Sequence, residues 1–547
     1  MKSKDVRKLD EGVSRRNFLK AAAISVAGAT ALGVTGCASQ DSAAERIVPD
    51  WLPTDWDGEA DVIVVGMGAA GLSATITTLD ENLGEVILLE AGSDSEAGGN
   101  SRCCGALTFC PDDVEKAIEY QTSLNGFYEV DPALMRVWAE GVCENKKWLE
   151  NLGAEVIDMH WQAPEFPEKP GSESIHTYCV DGTMGQQVGW TFMKETALSL
   201  GAQIIYETRV TSLITNPETR EIVGVSSEDG QNFKARKAVV LATGGFENNP
   251  EMLRNYFRGT ASTVLFWGGA LNRGDGIIMA QSVGADLWHM NNYAGLGLGA
   301  RATAADANDG TYMRFTSHDF IFVGPSGERF MYEERNNGLR HGYAPIAGGF
   351  DIASIPFTTY AIFGKEAFEG GLEMNFFTSA GWRNVTGNPP ANDAASYLDN
   401  EIIVKADTPR ELAEKIGIDP DGLEATIATY TGYVAANNDP DYGRGHELRS
   451  PGEEKPIVER FDLVPITPPY YALEQCHTLL NSQGGPKRGV NGEVLDTKGQ
   501  PIPRLYAAGE MGTVYGYLYN GGGNWSECLA SGRLAARSAN SLDIWEA

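Results

Sequence analysis

The sequence predicts an α/β protein whose main sheet domain is interrupted by an α+β insertion, and three observations carry that reading. "ADVIVVGMGAAGLSATITTL" (60–79) runs from an apolar strand through a glycine turn into a helix, and "EVILLEAG" (85–92) follows as a second strand. "QNFKARKAVVLATGGF" (231–246) is another apolar strand that breaks into glycines, and "GEVLDTKGQPIPRLYAAGE" (492–510) returns to strand-rich sequence near the end of the chain. Between 291 and 478 the texture changes to irregular, aromatic-rich sequence, which marks an inserted unit. At 547 residues the chain exceeds what a single core organises, so more than one domain is expected.

In chain order, "SRRNFLK" (Ser14 to Lys20) precedes the apolar "AAAISVAGATALGV", a stretch too short to span a bilayer. This reads as a twin-arginine export signal over 1–37, ending in "VTGC", where Cys37 has the setting of a lipidation site. Cleavage after Ala38 without lipidation is the alternative. A polar linker occupies 38–57. In the strand–turn–helix that follows, Gly66, Gly68 and Gly71 supply the tight turn, the close approach to a pyrophosphate and the helix–strand contact. Glu90 ends the second strand, where a carboxylate accepts hydrogen bonds from ribose hydroxyls; together these features predict a dinucleotide site.

Residues 111–200 read as largely helical ("DVEKAIEYQTSL", "PALMRVWAEGVCENKKWLENLG", "GWTFMKETALSLG"), and "AQIIYETRVTSLITN" and "EIVGVSSEDG" as strands. Within the insertion, "DTPRELAEKIGI" and "DGLEATIATYTGYVAANN" read as helices. The glycine run of "GYLYNGGGNW" says that something approaches the backbone closely, and "SECLASGRLAARSA" closes the chain as a helix. The expected division is 58–290 and 479–547 for the two parts of the sheet domain, with 291–478 between them.

The net charge of −31 argues against nucleic acid or an anionic membrane as a partner. The cysteines include no C-x-x-C pair and no haem attachment site. Cys103, Cys104 and Cys110 cluster in "SRCCGALTFC", as iron–sulfur ligands or, the simpler reading, as small buried thiols beside a cofactor.

"DVIVVGMGAAGLSA", "LLEAG", "GGNS", "VVLATGGF", "GDGIIMA", "GERFMYE" and "LYAAGE" followed by "GGGN" occur in the order seen in the fumarate reductase/succinate dehydrogenase flavoprotein family, which includes 3-ketosteroid dehydrogenases and urocanate reductases. The chain resembles that family over about 60–547. The resemblance implies a Rossmann-like FAD-binding domain interrupted by an α+β capping domain, with the active site between them. It implies that Gly66, Gly68, Ala70, Gly71, Glu90 and Ala91 hold the ADP half of FAD, and that Gly98, Gly99, Asn100, Ser101 and Gly105 pass along the isoalloxazine. Val210, Ala242, Thr243, Gly244, Asp275, Glu510, Gly523 and Asn524 close the site. Without a flavin-attachment motif the FAD is expected to be non-covalent. No second nucleotide fingerprint and no haem module is visible in the sequence. Electrons are therefore expected from a separate membrane-linked donor, a cytochrome or quinol-oxidising protein.

Fumarate reductases of the family bind a dicarboxylate with an arginine in the C-terminal loop and a histidine ahead of an earlier "GG", and take a proton from an arginine after "RF.NE". Read through those motifs, the positions here are Asn520, Asn481 and Asn337, with Leu296 at the histidine of the cap. Charge has been taken out of the pocket. Tyr519 followed by Gly523 resembles the ketosteroid dehydrogenases, where a tyrosine hydroxyl and a glycine N–H hold a ketone oxygen; a tyrosine merely satisfied by backbone is the alternative. The implied reaction is reduction of a carbonyl-conjugated C=C bond, with Tyr519 and Gly523 polarising the carbonyl. Arg335, Arg340 and His341 are the proton-donor candidates, with Arg340 favoured and His341 also a substrate contact. The oxidative direction of a ketosteroid-type dehydrogenase, a fumarate- or urocanate-like reductase and a flavoprotein that only relays electrons stay open.

Overall fold

The computed structural model describes residues 49–159, 164–257, 265–266, 268–295, 297–301, 310–334, 341, 343–346, 349–352, 355–356, 358–377, 398, 402–447 and 459–545. Among these, an eight-stranded sheet carries the predicted strand–turn–helix at its centre. Gly58–Val65 lies between Val86–Leu89 and Asn232–Leu241, parallel to both, and Pro501–Ala507 joins Asn232–Leu241 in parallel from the far end of the chain. A central parallel strand is covered on both faces, so its side chains alternate between two cores rather than between core and water. Ile63 and Val65 pack with Phe246, Ile277 and Leu505 on one face. Val62 and Val64 pack with Leu72, Trp190 and Leu529 on the other.

On that second face the helix Ala69–Asp80 packs against the closing helix Gly523–Asn540. The two backbones meet at Gly532, where a Cβ would stand 2.4 Å from the Ala70 carbonyl. The closing helix therefore begins inside the glycine run, at Gly523 itself. The stretch 111–200 is not all helix. It also contributes Val156–Asp158 and Thr177–Val180, which with Thr108–Phe109 just ahead of it form a small three-stranded sheet, strands too short to show periodicity in sequence.

The aromatic-rich insertion, read as irregular, forms a second eight-stranded sheet around Tyr470–Leu479. Aromatic side chains suit a pleated, half-buried surface: Phe315 stacks on Phe320 with ring centroids 4.1 Å apart, and Phe368 on Tyr471 at 4.1 Å. One strand of this sheet, Leu265–Phe266, lies ahead of position 291 in the sequence. The helices Pro409–Ile416 and Pro420–Ala436 pack beside it, each started by Thr408 or Asp419 as side-chain cap and by proline in the first turn. "GERFMYEE" is a buried ionic knot of this unit: Arg329 pairs with Glu333 at 2.6 Å and Asp439 at 2.8 Å, and Arg444 with Glu334 at 2.9 Å. Among the described residues no helix is long and apolar enough to cross a membrane.

Candidate functional site: a cofactor cavity and a tyrosine loop

The C-terminal ends of Gly58–Val65, Val86–Leu89 and Asn232–Leu241 open onto one cavity, the place where a parallel sheet binds its ligand. Gly66 turns the chain there with φ of +102°, and a Cβ on it would stand 2.5 Å from the Ala242 carbonyl. The buried Glu90 carboxylate accepts from the Met67 N–H at 2.8 Å and the Gly92 N–H at 2.9 Å, which fixes the turn at the cavity wall. Gly66, Gly68, Ala70, Glu90, Ala91, Gly98, Gly99, Asn100, Ser101, Val210, Ala242, Thr243, Gly244, Asp275 and Glu510 all line it. Gly71 instead lets the helix close on the strand, since a Cβ on it would fall 1.8 Å from the Gly66 carbonyl. Gly105 accepts from the Gly185 N–H at 2.9 Å, away from the cavity lining.

The cavity also takes Thr208, Arg209, Leu271, Asn272 and Cys528, none marked by a motif. Arg209 pairs with Asp275 at 2.5 Å and supplies the cation that the motifs leave out. A polar cofactor fits the buried end. Asn524 is 8% exposed, and neither its Oδ1 nor its Nδ2 has a hydrogen-bond partner. It sits one turn before Cys528 on the same helix face, and Cys528 lines the cavity. A buried amide left unpaired costs about 1–3 kcal/mol, which a ligand with ring carbonyl and N–H groups would offset.

Cys103 and Cys104 are tucked beside this end, their thiols pushed up to about 11 and about 12 by burial. The Cys104 thiol donates to the Ser101 carbonyl at 3.3 Å. Such thiols keep their protons. Among the described residues no group of His, Cys, Asp or Glu is placed to hold a metal ion.

Two buried acids back the cavity. Glu510 accepts from Asn100 Nδ2 at 2.7 Å, and Glu247 accepts from the Ser482 N–H at 2.6 Å. Burial, and then the charge of Glu247, hold the Glu510 carboxyl well above the usual carboxylate range. The folded state thus keeps a proton that the unfolded chain releases above its ordinary value of 4.5, so stability is lost as pH rises from there towards the raised folded value. Glu510→Gln removes that penalty. Thermal melts should show the variant gaining on the wild type as pH rises above the ordinary carboxylate value of 4.5; a constant gap would mean that the carboxyl is ionised throughout.

The second half of the site is the loop 516–524. Each glycine in it clears room for a different neighbour of the chain itself. A Cβ on Gly521 would stand 2.8 Å from Glu165 Oε1, one on Gly522 2.8 Å from the Leu107 carbonyl, and one on Gly523 3.0 Å from both the Tyr515 hydroxyl and the Tyr519 ring. The buried Tyr519 hydroxyl accepts from the Asn524 N–H at 3.1 Å, and burial holds its proton far above the usual phenol range. The Gly523 N–H donates to the Asn520 carbonyl at 3.1 Å, so here the amide that meets the Tyr519 hydroxyl is that of Asn524.

Asn520, expected as a substrate contact, is engaged within the chain. Its Oδ1 accepts from the Tyr120 hydroxyl at 2.7 Å and the Glu165 N–H at 3.0 Å, and its Nδ2 donates to the Gly521 carbonyl at 2.9 Å. With one amide hydrogen left, it works as a clamp on the 164–167 segment. Asn481 sits on another element, the short strand Asn481–Ser482 paired with Tyr293–Ala294, and donates to the Ser482 carbonyl at 3.1 Å. His341 reaches the loop: its ring lies edge-on to Tyr519 at 5.0 Å, and its Nε2 is 2.8 Å from Glu165 Oε2. Arg335, Asn337, Arg340 and Leu296 lie outside the described residues.

Comparison with known proteins shows the family. The FAD binding domain family matches residues 61–525. The digoxin reductase of Eggerthella lenta is 27% identical, over 99% of this chain and 99% of its own length. The vinyl phenol reductase of Lactiplantibacillus plantarum is 25% identical, over 88% of this chain and 98% of its own. In fold, the 3-ketosteroid delta1-dehydrogenase of Sterolibacterium denitrificans superposes with a TM-score of 0.68 at 19% identity, covering 88% of this chain and all of the other.

Proposed function

This chain belongs to the FAD-binding flavoprotein family of fumarate reductases and ketosteroid dehydrogenases, an FAD-dependent oxidoreductase acting on C=C or CH–CH groups, and from that premise we propose that it reduces a carbonyl-conjugated C=C bond of enone or aryl-acrylate type. One observation carries the reading: a buried, protonated tyrosine hydroxyl stands at the start of the closing helix, whose next turn lines the cofactor cavity. A neutral phenol in a dry site donates a hydrogen bond to an oxygen on which charge develops, and cannot supply the fixed cation a dicarboxylate needs. The names of the reductases that resemble the chain along nearly its whole length favour the reductive direction.

Glu90 would hold the ribose of a non-covalent FAD, the first turn of Ala69–Asp80 its pyrophosphate, and Asn524 with Asn100 the ring system. Bound there, FAD supplies the hydride. The chain's residues do the rest: Tyr519 orients and polarises the carbonyl, its ring packed on Tyr515 at 5.5 Å, and the buried tyrosine loop keeps water from the reacting carbons. A viologen-coupled assay of the reduced enzyme with progesterone, cinnamate and fumarate tests this; failure on every conjugated carbonyl compound, with oxidation of saturated ketosteroids instead, would reverse the assigned direction.

We extend the reading to place. The twin-arginine pattern and "VTGC" are consistent with export and lipid anchoring at Cys37, with electrons arriving from a membrane-linked cytochrome or quinol-oxidising protein in a respiratory role. The expected mature N-terminus is a lipidated Cys37 in the membrane fraction. Intact mass starting at Ser39 would retain export and remove the anchor.

A further inference from the structure

We propose that Glu165 and His341 form the proton-delivery pair of the active site, with His341 as the donor and Glu165 as the residue that positions it. The inference rests on the alkene-reductase reading and names a residue, Glu165, that no motif singles out. His341 stands on the chain in a left-handed conformation, φ +51°, which is strained for a side chain of its size, and its carbonyl accepts from the Gly295 N–H at 3.2 Å. That backbone aims the ring at Tyr519, edge to face, and presents Nε2 to both oxygens of Glu165 at 3.1 and 2.8 Å. The imidazole is 10% exposed and the carboxylate 28%, so the pair runs from solvent into the loop.

Glu165 itself is held from three sides. Its own N–H donates to Asn520 Oδ1, its Oε2 accepts from the Gly521 N–H at 3.1 Å, and the fully buried Phe166 anchors the next position. Gly521 is a glycine at this point because a Cβ there would press on the carboxylate at 2.8 Å. A carboxylate fixed in this way sets the ring orientation and stabilises the imidazolium, the relation in which an acid orients a catalytic histidine. The carbonyl oxygen held at Tyr519 is two bonds from the α-carbon, and the His341 ring is packed edge-on against that tyrosine. In the step, bound reduced FAD would supply the hydride for the β-carbon, while Nδ1–H of the His341 imidazolium breaks and its proton forms the new C–H bond at the α-carbon. Neutral imidazole remains with Nε2–H on Glu165, and water restores the proton. The flavin is reduced again by an external low-potential electron donor.

The test uses FAD-loaded enzyme and whichever of progesterone or cinnamate the wild type reduces. His341→Ala should lose on the order of 10²–10⁴-fold in kcat with its visible flavin spectrum intact, and added imidazole should restore part of the rate. Glu165→Gln should lower kcat at unchanged KM, and Gly521→Ala should follow it. Wild-type turnover in His341→Ala, or a loss that imidazole does not relieve, would overturn the inference. A second arm needs no substrate: in the oxidised holoenzyme, the ¹⁵N shifts of the His341 ring should move on Glu165→Gln. Unmoved shifts would overturn the pair. Moved shifts in an enzyme that reduces none of these alkenes would keep the pair and remove only the reaction assigned to it.

Discussion

Tyr519→Phe should lower turnover on the order of 10²-fold or more while the enzyme keeps its FAD. The hydroxyl accepts from the Asn524 N–H at 3.1 Å, which leaves its own proton to point elsewhere, and burial keeps that proton bound at any pH the enzyme meets. It is thus a donor with a fixed origin, and a donor aimed at developing negative charge contributes most in a site shielded from water. Phenylalanine preserves the edge-on contacts to Tyr515 and His341 and removes one oxygen. It also strands the Asn524 N–H, at a cost of about 1–3 kcal/mol in stability. The two effects separate: a melting shift without a kinetic one would return Tyr519 to a structural role. Visible flavin absorbance and kcat measured on the same preparation decide it.

The cofactor half of the site was legible in sequence because its chemistry is local. Gly66, Gly68 and Glu90 fall within one strand–turn–helix–strand unit, so the spacing that binds the ligand is spacing along the chain. Arg209 and Asn272 were not legible, for each is brought to the cavity by a separate strand or turn and neither carries a backbone requirement that a motif would mark. The sheet of the α+β insertion is hard to see in sequence because its strand order mixes distant segments. Tyr470–Leu479 pairs with four others, and no local alternation announces that. The glycine run was read rightly as close approach, but the bodies approaching are Glu165, the Leu107 carbonyl and two tyrosine rings of the same chain. Glu165 left one trace in sequence, the prolines at 164 and 167 that stiffen its segment, and its role depends on a partner 176 positions away.

Fumarate should be the poorest of the conjugated substrates, by about two to four decades in kcat/KM. In the dicarboxylate reductases that the chain resembles, substrate carboxylates are held by charged donors, each bond worth about 1.5–3 kcal/mol. Read through the family's motifs, two of those positions are expected at Asn520 and Asn481. Asn520 spends its oxygen on Tyr120 and Glu165 and half of its amide on Gly521, and Asn481 donates to Ser482. Forfeiting two charged bonds costs roughly 3–6 kcal/mol, which converts to those decades. A further term acts in the same direction. Glu165 sets a carboxylate against the Gly521 N–H, and the His341 ring is already paired with it. A second carboxylate arriving on the substrate would meet like charge. A neutral enone carries no such charge, and an aryl-acrylate carries one carboxylate, to be met by the Tyr519 donor, with the ring at the other end. The measurement is kcat/KM for fumarate, cinnamate and progesterone under one reductant, because a shared half-reaction cancels the flavin. A fumarate value equal to or above the others would mean that the pocket holds a cation the tyrosine loop does not contain.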